Sequence, residues 1–161
     1  MLLTRLASTL RQTTSLLDFY NMDNQLRLFT HPVARAQLNN EVLSLHHNLN
    51  KNKNERGYSR NLLTKNEILS AYIIEWDEGA RSNIHGHPKN GCYMFFLSGT
   101  FKEEIYNDDT LVKTIMNPNG IRFIRDEIGH HRVSNIGNEI GYTINIYSPN
   151  ISTNLENESL D

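Results

Sequence analysis

Apolar and polar positions change their spacing partway along the chain. Leu2, Leu6 and Leu10 recur four apart, and Leu3, Leu6 and Leu10 form a stripe, the signature of a helix that packs one face on a larger body. Helical spacing with few strand signals continues to about residue 50. From Leu69 onward, β-branched and aromatic residues come in short runs broken by Gly, Asn, Asp and Pro. These runs predict strands over 69–76, 92–97, 100–106, 111–116, 121–125, 131–134 and 142–147, with turns at Asn107-Asp108-Asp109 and Asn117-Pro118-Asn119-Gly120. Many short strands in series predict a sandwich or barrel. Beyond Asn150 the chain is polar and acidic without periodicity, the composition of a loose tail. The expected organisation is therefore mainly β: a helical segment over 1–50 packing on the barrel, a β domain over 51–150 and a flexible acidic tail over 151–161.

Composition narrows the function classes. A chain of 161 residues with a formal charge of −2 fits one compact domain and has no basic excess to meet a phosphate backbone, so nucleic acid is not an expected partner. One cysteine cannot close an internal disulfide, which fits a reducing compartment and makes the cytoplasm the expected location. No apolar run approaches the roughly 20 residues of a membrane-spanning helix, so a soluble protein with no membrane partner is expected. Over 1–17 there are two arginines, several Ser and Thr and no acid, a composition shared by mitochondrial presequences and ordinary amphipathic helices; the packing helix is the preferred reading.

Candidate chemistry lies between Gly79 and Gly99, which read G-x5-H-x-H-x4-C-x6-G. On a strand, His85 and His87 would share one face and offer two imidazoles to one ion, with Gly86 adding no bulk between them. A second segment has Gly120, then Asp126, Ile128, His131 and Asn135. Together they resemble the two metal motifs of the cupin superfamily, with Asp126 and Ile128 where the second motif usually has Pro and Gly. His130 and His131 face opposite sides of a strand, so one of them joins the pair; the motif spacing selects His131 and leaves His130 as a packing or surface residue. His31, His46 and His47 lie in the helical part without partner spacing and are read as ordinary polar side chains. Most cupins supply a carboxylate after the second histidine, and Cys92 replaces it here. Three neutral imidazoles leave the ion its full charge and open positions on one face, which suits Fe(II) binding an anionic bidentate substrate together with O2. Zinc with three histidines and a water is the competing chemistry.

A cysteine at this position of a three-histidine cupin resembles the thiol dioxygenases, and the chain is similar to the cysteine dioxygenase family from about Tyr58 to Pro149. The matching segments are Tyr58-Ser59-Arg60-Asn61, Trp76-Asp77-Glu78-Gly79, Ile84-His85-Gly86-His87, Cys92, Ile128-Gly129-His130-His131-Arg132-Val133 and Tyr147-Ser148-Pro149. The resemblance implies a cupin barrel, most simply a monomer. It also implies O2-dependent oxidation of L-cysteine to cysteine sulfinic acid at Fe(II) held by His85, His87 and His131, with the substrate's thiolate and amine at the iron. Arg60 matches the carboxylate-binding arginine beside Tyr58, where a planar guanidinium grips a carboxylate by two parallel bonds. Cys92 and Tyr147 match a pair that forms a thioether crosslink, and the Tyr147 phenol is placed to hydrogen-bond dioxygen or the carboxylate. Relatives acting on 3-mercaptopropionate lack the arginine, so Arg60 favours cysteine over that thiol or cysteamine; a non-catalytic metal-binding cupin needs only the histidines. Asn145 and Thr143 stand where the family has a histidine and a serine that tune the tyrosine, and Pro88-Lys89-Asn90-Gly91 departs from a more polar family loop. Ser148-Pro149 resembles a segment with a cis peptide.

Overall fold

The structure, a computed structural model, describes residues 1–49 and 52–151. Four helices come first: α1 (Leu2–Arg11), α2 (Leu16–Tyr20), α3 (Met22–Thr30) and α4 (Pro32–Ser44). Eight strands follow: β1 (Tyr58–Lys65), β2 (Ser70–Trp76), β3 (Gly91–Ser98), β4 (Phe101–Asn107), β5 (Thr110–Met116), β6 (Ile121–Ile124), β7 (His130–Asn135) and β8 (Gly141–Ser148). All pairings are antiparallel, in a five-stranded sheet ordered β1-β2-β8-β3-β6 and a three-stranded sheet ordered β5-β4-β7. The connection from β2 to β3 extends the smaller sheet, bridging Arg81 to Ser134 and His85 to His131 along the free side of β7. The two sheets close the cupin barrel expected from the motifs.

The central strands of the larger sheet, β2, β3 and β8, are buried on both faces, which explains why β2 and β3 read as near-continuous apolar runs, while β8 alternates Tyr142, Ile144 and Ile146 with polar Thr143 and Asn145. Its inner face contributes Tyr72, Ile74, Trp76, Met94 and Phe96 to a core shared with Phe101, Ile105 and Val133 of the smaller sheet. Its outer face, with Ile73, Tyr93, Phe95, Ile144 and Ile146, packs beneath Leu3, Leu6, Leu10, Met22 and Leu38 of the helices. The stripe expected on α1 is thus the buried one. By contrast β4 alternates buried and half-buried positions, and β5 is an exposed edge.

Every strand the pattern predicts is present, with ends shifted by at most one residue, but β1 escapes it. Its sequence, YSRNLLTK, has a burial pattern with only three buried positions, and a bulge between Leu62 and Thr64 breaks the period. The expected boundary at 50 and 51 falls outside the described residues. Of the expected tail, Ile151 is buried and its N–H donates to Ser70 Oγ at 2.9 Å; residues 152–161 lie outside the described residues. No helix among the described residues is long and apolar enough to cross a membrane.

Candidate metal centre

His85 and His87 do not lie on a regular strand, as their spacing suggested. They sit in the irregular connection between β2 and β3, and only His85 is drawn into a bridge, exchanging both backbone hydrogen bonds with His131 on β7 (2.9 and 3.1 Å). Asn135 starts this course: buried, its amide donates to the carbonyls of Trp76, Asp77 and Glu139. Further on, the His87 N–H donates to Asp126 Oδ1 at 2.8 Å, so the aspartate standing in the usual proline position anchors the second histidine from across the site. A Cβ at Gly86 would lie 3.0 Å from that same oxygen, so a side chain there would crowd the aspartate.

The three rings converge. One nitrogen from each of His85, His87 and His131 lies within 4.8 Å of the others. His85 Nδ1–H donates to the Asn83 carbonyl at 2.9 Å, and His131 Nδ1–H donates to Glu103 Oε1 at 3.1 Å. With Nδ1–H committed to an oxygen in both rings, each Nε2 turns inward, where the two nitrogens stand 3.0 Å apart. A metal cation held there would take a lone pair from each of them. His87 supports the same conclusion, since both its ring nitrogens are buried without a hydrogen bond. Burial, then the neighbouring His131 ring, pushes His85 and His87 well below the ordinary imidazole value, keeping them in the neutral form a metal requires. The donor set fits a divalent transition metal with positions left open.

Glu103, on the inner face of β4, was not legible as part of this site. Burial works to raise its carboxyl, but the hydrogen bond from His131 and the Arg122 guanidinium, with Nε 3.1 Å away, hold it below the usual value. A charged residue in an inward position between Phe101 and Ile105 is the signal that could have found it. His130 points outward, its ring half-exposed, 3.9 Å from Asp126. His31 caps α4 and His46 contacts Glu75, so both are engaged elsewhere.

The remaining candidates share the inner face of the larger sheet. Cys92 on β3 is directly opposite Tyr147 on β8, and both are buried. Burial raises both groups above their ordinary values; for Tyr147 the Arg60 guanidinium pulls the other way. Arg60 on β1 also lies 5.6 Å over the Tyr58 ring, which in turn packs on Trp76. Thr143, Asn145 and Tyr147 alternate onto one face and form a directed chain: Trp76 Nε1–H donates to Thr143 Oγ1 (3.1 Å), whose hydroxyl donates to Asn145 Oδ1 (2.9 Å), whose Nδ2 donates to the Tyr147 oxygen (3.3 Å). The end of β8 is held by the Pro88-Lys89-Asn90-Gly91 turn, where Asn90 N–H donates to the Ser148 carbonyl at 2.9 Å, and the Ser148-Pro149 peptide is cis.

Comparison with known proteins agrees with this construction. By fold, the chain is similar to KdgF from Halomonas sp. (TM-score 0.53, 17% identity, covering 68% of this chain and 93% of that one). It is about equally similar to the TT1209 protein from Thermus thermophilus (TM-score 0.52, 13% identity, covering 66% and 95%). In sequence it is 33% identical over 106 residues to the human protein named cysteine dioxygenase type 1, covering 60% of this chain. The Danio rerio protein of the same name is 32% identical over 103 residues. These alignments span about half the length of the curated relatives, 53% for the human protein. The family described as cysteine dioxygenase type I matches residues 25–157, a stretch that includes most of α3, all of α4, all eight strands and the three converging histidines. The chain belongs to the cysteine dioxygenase type I family.

Proposed function

We propose that this protein is an Fe(II)-dependent thiol dioxygenase that oxidises L-cysteine to cysteine sulfinic acid, with His85, His87 and His131 as the metal ligands. The observation that carries the reading is the convergence of three imidazoles, with no carboxylate among them, inside a barrel whose inner face also bears Arg60, Cys92 and Tyr147. Fe(II), when bound, supplies open positions for a chelating thiol and the electrons that activate O2. The overall reaction is balanced without a further reductant: the thiol and O2 combine, and both oxygen atoms end on sulfur.

The chain's own residues position the substrate. Arg60 grips the carboxylate by two parallel hydrogen bonds, fixing the end of the amino acid remote from its thiol. Tyr147 remains protonated because it is buried, and Asn145 already donates to its oxygen. Its own O–H is therefore free to point at the carboxylate or the oxidant, holding a proton there without releasing it. Tyr58 packs beside Arg60 and limits how far the guanidinium can swing. Cys92 and Tyr147 are assigned to a thioether crosslink, in which a bond forms between Sγ and the ring, each side chain loses a hydrogen, and O2 takes the electrons.

The test is O2 uptake by Fe(II)-loaded protein with L-cysteine, the product identified by mass spectrometry. Stoichiometric sulfinate carrying both oxygen atoms from labelled O2 is expected; bound metal with no uptake for any small thiol would overturn the reading in favour of a binding module.

A further inference from the structure

A second concave feature lies outside the barrel. The pocket, about 340 Å³ in volume, is lined by three arginines, Arg56, Arg81 and Arg132, with Ser82, Asn83 and a single acidic residue, Glu55. Three separate segments supply the arginines. Arg56 precedes β1, Arg81 is bridged to Ser134 at the edge of β7, and Arg132 is on β7, where alternation with the inward His131 turns it to the other side. Like charges gathered in one pocket repel, and the local acids do not balance them. Glu55 is 83% exposed and 3.5 Å from Arg56. Glu104, across the sheet from Arg132, is engaged with Lys102 at 3.2 Å. Arg56 Nε is held by Asn83 Oδ1 at 3.0 Å, which fixes the guanidinium in the pocket wall, and among the described residues its Nη1 meets only the exposed Glu55 carboxylate, at 3.5 Å. Arg132 Nε is buried and makes no hydrogen bond among the described residues, a polar group whose burial is costly until something accepts from it.

We propose that this pocket binds a small oxyanion, gripped by the guanidinium groups of Arg56, Arg81 and Arg132. Planar forks of N–H donors match the oxygen spacing of phosphate, sulfate or a sulfinate, and the volume is at the small end of ligand pockets. The site requires neither the metal nor the oxidation reaction. It adjoins them, because the Asn83 carbonyl that holds His85 Nδ1 belongs to the residue whose side chain holds Arg56.

The experiment is calorimetric titration of the full chain with inorganic phosphate in low-salt buffer, compared with Arg81→Ala, Arg132→Gln and, as a control, Arg11→Ala. Saturable 1:1 binding is expected, weakened about tenfold by Arg132→Gln and several-fold by Arg81→Ala, and unchanged by Arg11→Ala. Arg81 is exposed, so its substitution leaves the fold intact and keeps the test decisive should Arg132→Gln disturb β7. Absence of binding at millimolar phosphate, or binding that neither pocket variant alters, overturns the proposal. Repeating the titration with cysteine sulfinate identifies the source: a tighter variant-sensitive component for sulfinate points to an amino-acid oxyanion, and for phosphate to an inorganic one. Loss of dioxygenase activity with phosphate binding intact would strike the proposed reaction and leave this site standing.

Discussion

At the scale of single residues, the second nitrogen of each ring decides what the first can do. Glu103 accepts from His131 Nδ1, so it sets that ring's tautomer and strengthens the lone pair that Nε2 turns toward the other two rings. Glu103→Gln is expected to lower Fe(II) affinity about 10–100-fold in a chelator competition, while Glu104→Gln, on the other side of the same strand, leaves it unchanged. Arg60→Ala is expected to raise KM far more for cysteine than for cysteamine, which has no carboxylate to hold; equal losses would discredit its role. The Trp76 to Tyr147 chain begins at a donor-only indole and passes through an amide that cannot carry a proton, so its direction is fixed. Asn145→His would place an ionisable ring beside Tyr147. Faster turnover and more crosslink are expected, with a new pH dependence between about pH 6 and 7, and unchanged rates would refute the tuning role of this position. His85 and His87 stood out by their spacing, whereas His131, Cys92, Arg60 and Tyr147 entered as candidates through the motif order the chain shares with a family. Glu103 and Asp126 were not, because the contacts that matter, to His131 and to the His87 N–H, cross between segments that only folding brings together.

Among the elements, β2 has two working faces. Trp76 turns inward to the relay, and Glu75 turns outward beneath the helical segment. There the carboxylate joins Lys53 at 2.8 Å, His46 at 2.7 Å and the Tyr142 hydroxyl at 2.8 Å, linking the residues before β1 to β2 and β8. Burial would raise Glu75, but these partners hold it below its ordinary value of 4.5. A depressed carboxyl adds stability that is complete above the unfolded value and lost as pH falls through the lower folded one. Glu75→Gln is therefore expected to cost about 3 kcal/mol in denaturant unfolding at neutral pH. The gap between variant and wild type should close as pH falls below 4.5; a gap independent of pH would show that packing, not charge, is responsible. Strands buried on two faces, and β4 with one, announced themselves by composition and alternation. The edge strand β1 did not, because three polar residues, Ser59, Arg60 and Asn61, precede Leu62 and a bulge hides the rest of its period.

For the molecule as a whole, the helices are the second wall of the larger sheet. Leu10 is fully buried in the cluster that covers Ile73, Phe95 and Ile144, whereas Leu17 is 72% exposed. Leu10→Ala is expected to cost about 2–5 kcal/mol in reversible unfolding and Leu17→Ala under about 0.5 kcal/mol; similar losses would contradict this packing. Local pattern was determined by the sequence alone: where most of the strands run, and that His85 and His87 stand two apart beside Gly86. These depend on residue identity and near spacing, which a chain carries before it folds. Tertiary structure alone decided that the His85 and His87 segment joins the smaller sheet, that Glu103 holds the His131 ring and Asp126 the His87 backbone N–H, and that Arg56, Arg81 and Arg132 share a pocket. Each of these is a meeting of segments distant along the chain, set by sheet pairing and closure of the barrel, and no period in the sequence encodes such a meeting.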